Sequence, residues 1–179
     1  MVFSARDGGM VQSMSTATNS APGRTARDEL VDAVLASSRA LVAVAARSLA
    51  TVAEDVTLAQ YRVLVELAAR GPQRLADLAV ALRVDRSTAT RMSDRLARKH
   101  LVQRRRVASD RRGVRVSLAP AGRELIAEVS RRRRAEITMI VRRMAAADKQ
   151  AAVAALQAFA DAAGEVPEQD WSLGWDLAQ

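Results

Sequence analysis

Apolar side chains recur at spacings of three, four and seven over most of the chain and at every second position over one short stretch. That is the pattern of a helical protein carrying one small β-element. From Met1 to about Ala26 no period is present, and Ser, Thr, Ala and Gly dominate. A segment with so little to bury is expected to be a disordered arm. From Asp28 onward Leu30, Val34, Leu41, Ala45 and Leu49, flanked by Val31, Leu35, Val42 and Val52, mark a long first helix with a wide apolar face. Thr57 followed by Gln60 is a capping-box pair, and Val63, Leu64 and Leu67 continue a second helix that Gly71-Pro72 ends. Leu75, Leu78, Ala79 and Leu82 predict a short third helix, with a turn at Val84. Asp85 is a suitable N-cap for a fourth helix, whose Ala89, Met92 and Leu96 face inward.

Beyond His100 the period changes. Leu101 and Val102 lead into a first strand over 103–106, and Val107 to Gly113 is read as a loop. The alternation Val114, Arg115, Val116, Ser117, Leu118 predicts a half-buried second strand. The two strands with their loop form a β-wing carrying Arg105, Arg106, Arg111 and Arg112. Pro120 fits the first turn of a fifth helix, along which Leu125, Ile126, Val129, Ile137, Ile140, Val141 and Met144 run to about Ala146. A sixth helix follows from Asp148 to near Gly164. Trp171 and Trp175 then stand four residues apart, a spacing that fits one helical face docking on a dimer.

The fold class read from this pattern is mainly α: a winged helix-turn-helix lobe with a two-stranded wing, plus a helical dimerisation region. The expected organisation is an arm over 1–26, a first dimerisation helix over 27–56, the winged lobe over 57–119, dimerisation helices over 120–164 and a tail over 165–179. The apolar faces of helices one, five and six exceed what a small lobe can cover, and pairing two subunits would bury them.

Charge sharpens the picture. Residues 83–123 hold thirteen Arg or Lys against three Asp, a local balance of +10, whereas the whole chain is +8. The remainder is slightly acidic, so one block carries the basic character and calls for a polyanionic partner. Aromatics are only 3% of residues, and no cysteine is present. That removes disulfides, cysteine-ligated metals and thiol chemistry. A single histidine is too few for most metal sites. No Gly-rich phosphate loop, histidine relay or metal-ligand spacing is found, so neither an enzyme nor a cofactor is expected. No apolar run approaches the roughly 20 residues needed to cross a bilayer, and a cytoplasmic protein without membrane contact is expected.

The fourth helix has the two faces a recognition helix needs. One is anchored by apolar residues, and the other presents Arg86, Ser87, Thr88, Thr90, Arg91 and Asp94, with Thr88 at the boundary and Arg95 one turn on. Short hydroxyls and arginines on such a face can reach base edges in the major groove, and a wing arginine can enter the minor groove. A solvated charged face is the bland alternative; the wing immediately following favours double-stranded DNA.

These residues resemble a named family. Asp110-Arg111-Arg112-Gly113-Val114-Arg115-Val116-Ser117-Leu118, closing on Ala119-Pro120-Ala121-Gly122, is similar to the wing signature D-x-R-x-x-x-x-x-L-T-x-x-G of MarR-type transcriptional regulators. Leu75 to Ala79, Asp85 to Arg91 and Asp94-Arg95-Leu96 are similar to that family's third and fourth helices. The resemblance implies a homodimer that binds an inverted-repeat operator, mostly represses, and releases DNA when a small phenolic or anionic ligand enters between lobe and dimer helices. It further implies Ser87, Thr88, Thr90 and Arg91 at the major groove, Arg112 in the minor groove and Asp110 holding the wing through a charge-assisted hydrogen bond. Three positions depart from the pattern. Arg83 stands in the helix-turn-helix turn and His100 at the end of the recognition helix, both where the family usually has Gly, and Ala119 replaces a capping Thr.

Other residues have bland readings. Tyr61 is read as core packing, His100 as a helix-end residue, and Arg131 to Arg134 as mostly solvated or paired with acids, with one turned inward as an anion clamp the lesser alternative. A DNA-binding protein of architectural type, with little sequence preference, is the alternative function. Outward Ser and Thr on the fourth helix argue against it, because phosphate neutralisation does not need them.

Overall fold

The computed structural model describes residues 25–107 and 110–171, with the backbone only at Val107 and 110–112. The expected arm over 1–24 and Trp175 lie outside the described residues. The chain divides at Ser37/Ser38 into two compact units. In the first, helix α1 (Ala26–Val52) begins on a reciprocal cap. The Asp28 N–H donates to Thr25 Oγ1 (3.2 Å), and the Thr25 N–H and hydroxyl donate to Asp28 Oδ2 (3.0 and 2.7 Å). These bonds hold the Asp28 carboxyl below its usual range. The helix therefore starts two residues before Asp28, because Thr25 and Asp28 form a cap that the polar composition of the arm concealed.

The second unit is organised around α2 (Leu58–Arg70). Its Thr57–Gln60 capping box is formed, and Tyr61, Val63, Leu64, Leu67 and Ala68 are buried. The helix packs against α3 (Leu75–Ala81), α4 (Arg86–Arg98), α5 (Pro120–Arg142) and the sheet. Leu78, Ala89, Leu96, Val116 and Ile126 close the same core from those elements. On α1, Val44, Ser48 and Leu49 are buried, whereas Leu41 and Val42 are half exposed or more. Helix α6 (Ala146–Ala163) buries no residue and ends on left-handed Gly164.

The sheet departs from the two-stranded expectation. Strands β2 (Val102–Val107) and β3 (Asp110–Leu118) pair antiparallel, and a third strand β1 (Gln73–Arg74) pairs with the other edge of β3. Arg105 and Arg106 lie in β2, and the backbone of Arg111 and Arg112 lies in β3, so the latter two belong to a strand rather than to a loop over 107–113. The register runs through Arg105↔Arg115 and Arg106↔Val114 and shifts between Arg106 and Val107. A ladder of backbone hydrogen bonds does not require apolar alternation where little is buried, so alternation underestimated both strands.

Two non-glycine residues adopt left-handed backbone, Arg83 (φ 54°) and His100 (φ 57°). Each ends a helix in the same way: Val84 N–H donates to Ala79 O and Leu101 N–H to Leu96 O, both 3.0 Å. That six-to-one closure demands the left-handed residue, at a cost of order 1 kcal/mol for a side chain with a Cβ.

Ala119 stands at the N-cap of α5 with extended backbone and no side-chain cap. Ala119→Ser, which adds only the capping oxygen, is expected to raise stability by about 1 kcal/mol. The check is a shift of the denaturant midpoint at unchanged slope.

The end of the chain also differs from expectation. Trp171 follows a 3-10 turn (Glu168–Asp170) with extended backbone, donates its indole N–H to Val166 O (3.0 Å) and packs against the core. It does not lie on an α-helical face, because the left-handed Gly164 ends α6 and Trp171 itself is extended after the 3-10 turn.

Candidate nucleic-acid interface

Helix α4 is short, capped and two-faced. Asp85 accepts from the Thr88 N–H (2.8 Å), and Ala89, Ser93 and Leu96 are buried. On the other face Arg86, Ser87, Arg91 and Arg95 are exposed and Thr88 and Thr90 are half-buried, so all six α4 residues picked out by the periodicity share one outer surface. Arg91 Nη2 donates to Thr88 Oγ1 (2.9 Å), which holds the guanidinium along that surface. None of Arg86, Arg91 and Arg95 has an acidic partner among the described residues. Asp94, the acid on this helix, pairs instead with Arg104 of β2 and ties the wing to α4.

The wing brings together residues that periodicity did not join. The pairings Arg74↔Arg115 and Arg115↔Arg105 set three arginines side by side across β1, β3 and β2. All three are exposed, and none has an acidic partner among the described residues. Directly opposed like charges are destabilising, so such a row is accounted for by an anionic partner better than by packing. Arg115 could have been found from its polar place between Val114 and Val116. Arg74 could not, because a two-residue strand has no period. The side chains of Asp110, Arg111 and Arg112 lie outside the described residues.

A second feature lies where α5 meets the segment after α6. A cavity of about 1080 Å³ is lined by Leu41, Val42, Ser130, Arg133, Ile137 and Glu168, among others. Glu168 pairs with Arg133 and lies 3.7 Å from Arg134, and the Ser130 hydroxyl donates to it (3.3 Å). Glu165 takes both Nη atoms of Arg62 (3.1 and 2.5 Å). Arg131 and Arg132 pair with Glu128. The four consecutive arginines are thus all paired with acids, and Arg133 and Arg134 both line the cavity. Tyr61 is core packing, as expected, yet its buried hydroxyl has no hydrogen bond of good geometry among the described residues, with the Ser130 hydroxyl its polar neighbour. Burial pushes the phenol pKa up, and the Arg133 guanidinium opposes that rise.

Among the described residues no group of three or more His, Cys, Asp or Glu is placed to hold a metal ion. Nor is any helix among them long and apolar enough to cross a membrane.

Comparison with known proteins agrees with this geometry. The MarR family profile matches residues 56–114. The crystal structure of RV1404 from Mycobacterium tuberculosis is 41% identical, with TM-score 0.74, and the match covers 81% of this chain and 99% of that one. The chain belongs to the MarR family. As a MarR-family transcriptional regulator it is a DNA-binding protein with a winged-helix fold. YusO from Bacillus subtilis is 28% identical with TM-score 0.58, over 78% of this chain and 99% of that one. AbsC, a MarR family transcriptional regulator from Streptomyces coelicolor, is 24% identical with TM-score 0.59, over 80% and 99%, and shows the shared fold. No match is found among curated proteins.

The departures from the MarR pattern now have a structural meaning. Arg83 and His100 hold the left-handed turns that the family usually builds with Gly, and the turns form regardless. Ala119 leaves α5 without its side-chain cap, and its own N–H is satisfied by Leu101 O (3.0 Å).

Proposed function

We propose that this MarR-family regulator is a homodimeric repressor that binds an inverted-repeat operator and is released by a small anionic or phenolic ligand. The observation that carries the DNA-reading part is the outer face of α4. Among the described residues Arg86, Arg91 and Arg95 have no acidic partner, and they stand beside three hydroxyl side chains, next to a wing lined with arginine. Arginine suits guanine edges and phosphates, and hydroxyls read base edges at short range.

The homodimer is supported by apolar surface that the chain leaves uncovered. Leu41 and Val42 on α1, Met139, Ile140 and Val141 on α5, and Val153, Leu156 and Phe159 on α6 are each 39% exposed or more. Helices that expose their apolar stripe to this extent need a partner, and a second copy supplies the same three faces. Pairing would set the two α4 helices at a fixed separation and favour half-sites about one helical turn apart. The ligand reading is supported by the cavity, where Arg133 and Arg134 face an apolar wall of Leu41, Val42 and Ile137. An entering carboxylate or phenolate would compete with Glu168 for those arginines. It would lower DNA affinity only to the extent that it binds the DNA-free state more tightly.

The test is binding of purified protein to a labelled fragment of its own upstream region at two salt concentrations, with unrelated DNA as competitor. Tight binding at one inverted repeat that survives the competitor is the expected result. Binding removed equally well by unrelated DNA, with a steep salt slope, would replace the repressor reading with an architectural one.

Arg112 is proposed to reach the minor groove and Asp110 to brace the wing, as in the MarR signature. Arg112→Ala is expected to weaken binding and reduce the logarithmic salt slope by about one. Equal affinity and slope in variant and parent would remove the wing tip from the interface.

A further inference from the structure

We infer that Asp85 sets the hydrogen-bond polarity of the hydroxyls on the outer face of α4, and thereby selects which base edge they read. The inference rests on α4 lying in the major groove, as proposed above.

The Ser87 hydroxyl reaches Asp85 Oδ1 at 2.5 Å and the Thr88 hydroxyl reaches Oδ2 at 2.7 Å. These hydroxyls and the Thr88 N–H hold the Asp85 carboxyl far below its usual range, so it is ionised at any pH at which the protein would be used. An ionised carboxylate only accepts. The single proton of each hydroxyl is therefore directed inward, at Asp85. Thr90 is committed in the same sense, donating to Arg86 O at 2.7 Å. What these side chains turn outward is lone pairs.

A free hydroxyl rotates to donate or accept and so discriminates weakly. Hydroxyls pinned as acceptors do not. In the major groove only the amino groups of cytosine and adenine donate to them, whereas guanine O6 and N7 and thymine O4 repel them. The arginines have the opposite polarity and suit guanine. The face thus presents two complementary readers, acceptors for an amino-bearing base and donors for guanine, and Asp85 keeps them distinct. Thr88 is the sharpest case, because its oxygen also accepts from Arg91 Nη2 at 2.9 Å, which leaves one lone pair.

Asp85→Asn tests this in a single step. The Thr88 N–H can only donate, so the Asn oxygen must stay at the Oδ1 position, facing that N–H and Ser87, and the new amide NH2 must replace Oδ2. The NH2 then donates to Thr88 Oγ1 and frees the Thr88 proton to point outward. Asn caps a helix as well as Asp does, so fold and melting should be similar. The experiment selects binding duplexes from a randomised pool with the parent, Asp85→Asn and Thr88→Val.

The parent is expected to enrich cytosine or adenine at one position per half-site. Asp85→Asn should exchange that base for guanine or thymine with a preference change of roughly tenfold, while the positions read by Ser87 and Arg91 stay as they were. Thr88→Val should lose preference at that position without inverting it. An Asp85→Asn variant that folds and selects the parent's site at every position overturns the inference, as does an unchanged preference in Thr88→Val. A parent that enriches no sequence overturns the major-groove reading itself, and the inference with it.

Discussion

Gly122→Ala is expected to destabilise the protein by about 3 kcal/mol, lowering the melting temperature by roughly 10 °C for a chain of this size. Gly122 lies in the first turn of α5, where alanine would ordinarily be preferred over glycine by about 1 kcal/mol. The sign is reversed here by a close approach. A Cβ at this position would lie 2.1 Å from Leu101 O and 3.1 Å from its carbonyl carbon, with Leu118 Cδ2 at 3.3 Å. Leu101 O is backbone and already accepts the Ala119 N–H at 3.0 Å. Moving it would disturb both the end of α4 and the start of α5. Thermal unfolding of the variant beside the parent decides the matter: an unchanged or higher melting temperature would show that the two segments can part without cost. The final glycine of the wing signature is thus required by the seam between α4 and α5, not by backbone conformation.

If α4 reads DNA as proposed, Arg91→Ala is expected to reduce DNA affinity by about ten- to a hundredfold and to relax base preference at one position. The side chain is exposed, lacks an acidic partner among the described residues and is held along the α4 surface by Thr88. Its removal therefore has little to do with stability. Arg91→Lys separates charge from geometry, because lysine keeps the charge but cannot make the planar two-point contact. A lysine variant with the parent's affinity but weakened preference would identify base reading. Unchanged preference in the alanine variant would exclude this face from recognition.

The helices were legible because their apolar period continues through regular turns. Asp85 and Thr57 were legible as caps because capping depends on residue type at a fixed local offset. Arg83 and His100 were legible as left-handed positions only through the family pattern, since neither residue type announces that conformation. The full length of the wing is not legible in the sequence, because its arginine-rich segment pairs through backbone while offering no alternation. Strand β1 was missed because two residues carry no period, and the start of α1 because Thr25 looked like part of the polar arm. The pairing of Glu168 with Arg133 had no signal either, because charges that far apart in sequence have no fixed spacing. Of the candidate site, the exposure of Arg86, Ser87, Arg91 and Arg95 follows from helical period alone. The arginine row across the sheet emerged only from strand register.

That row gives ionic strength two opposite effects on one molecule. Arg74, Arg115 and Arg105 repel one another across neighbouring strands, and added salt screens exposed charges beyond about 10 Å at 0.1 M and closer above that. Raising potassium chloride from about 50 to about 500 mM should therefore raise the melting temperature of the free protein while loosening its grip on DNA. In dilute salt bound phosphates would supply the missing counter-ions, so DNA is expected to raise the melting temperature most there. Heat resistance of the free protein and hold on DNA should then trade places as the ionic medium changes.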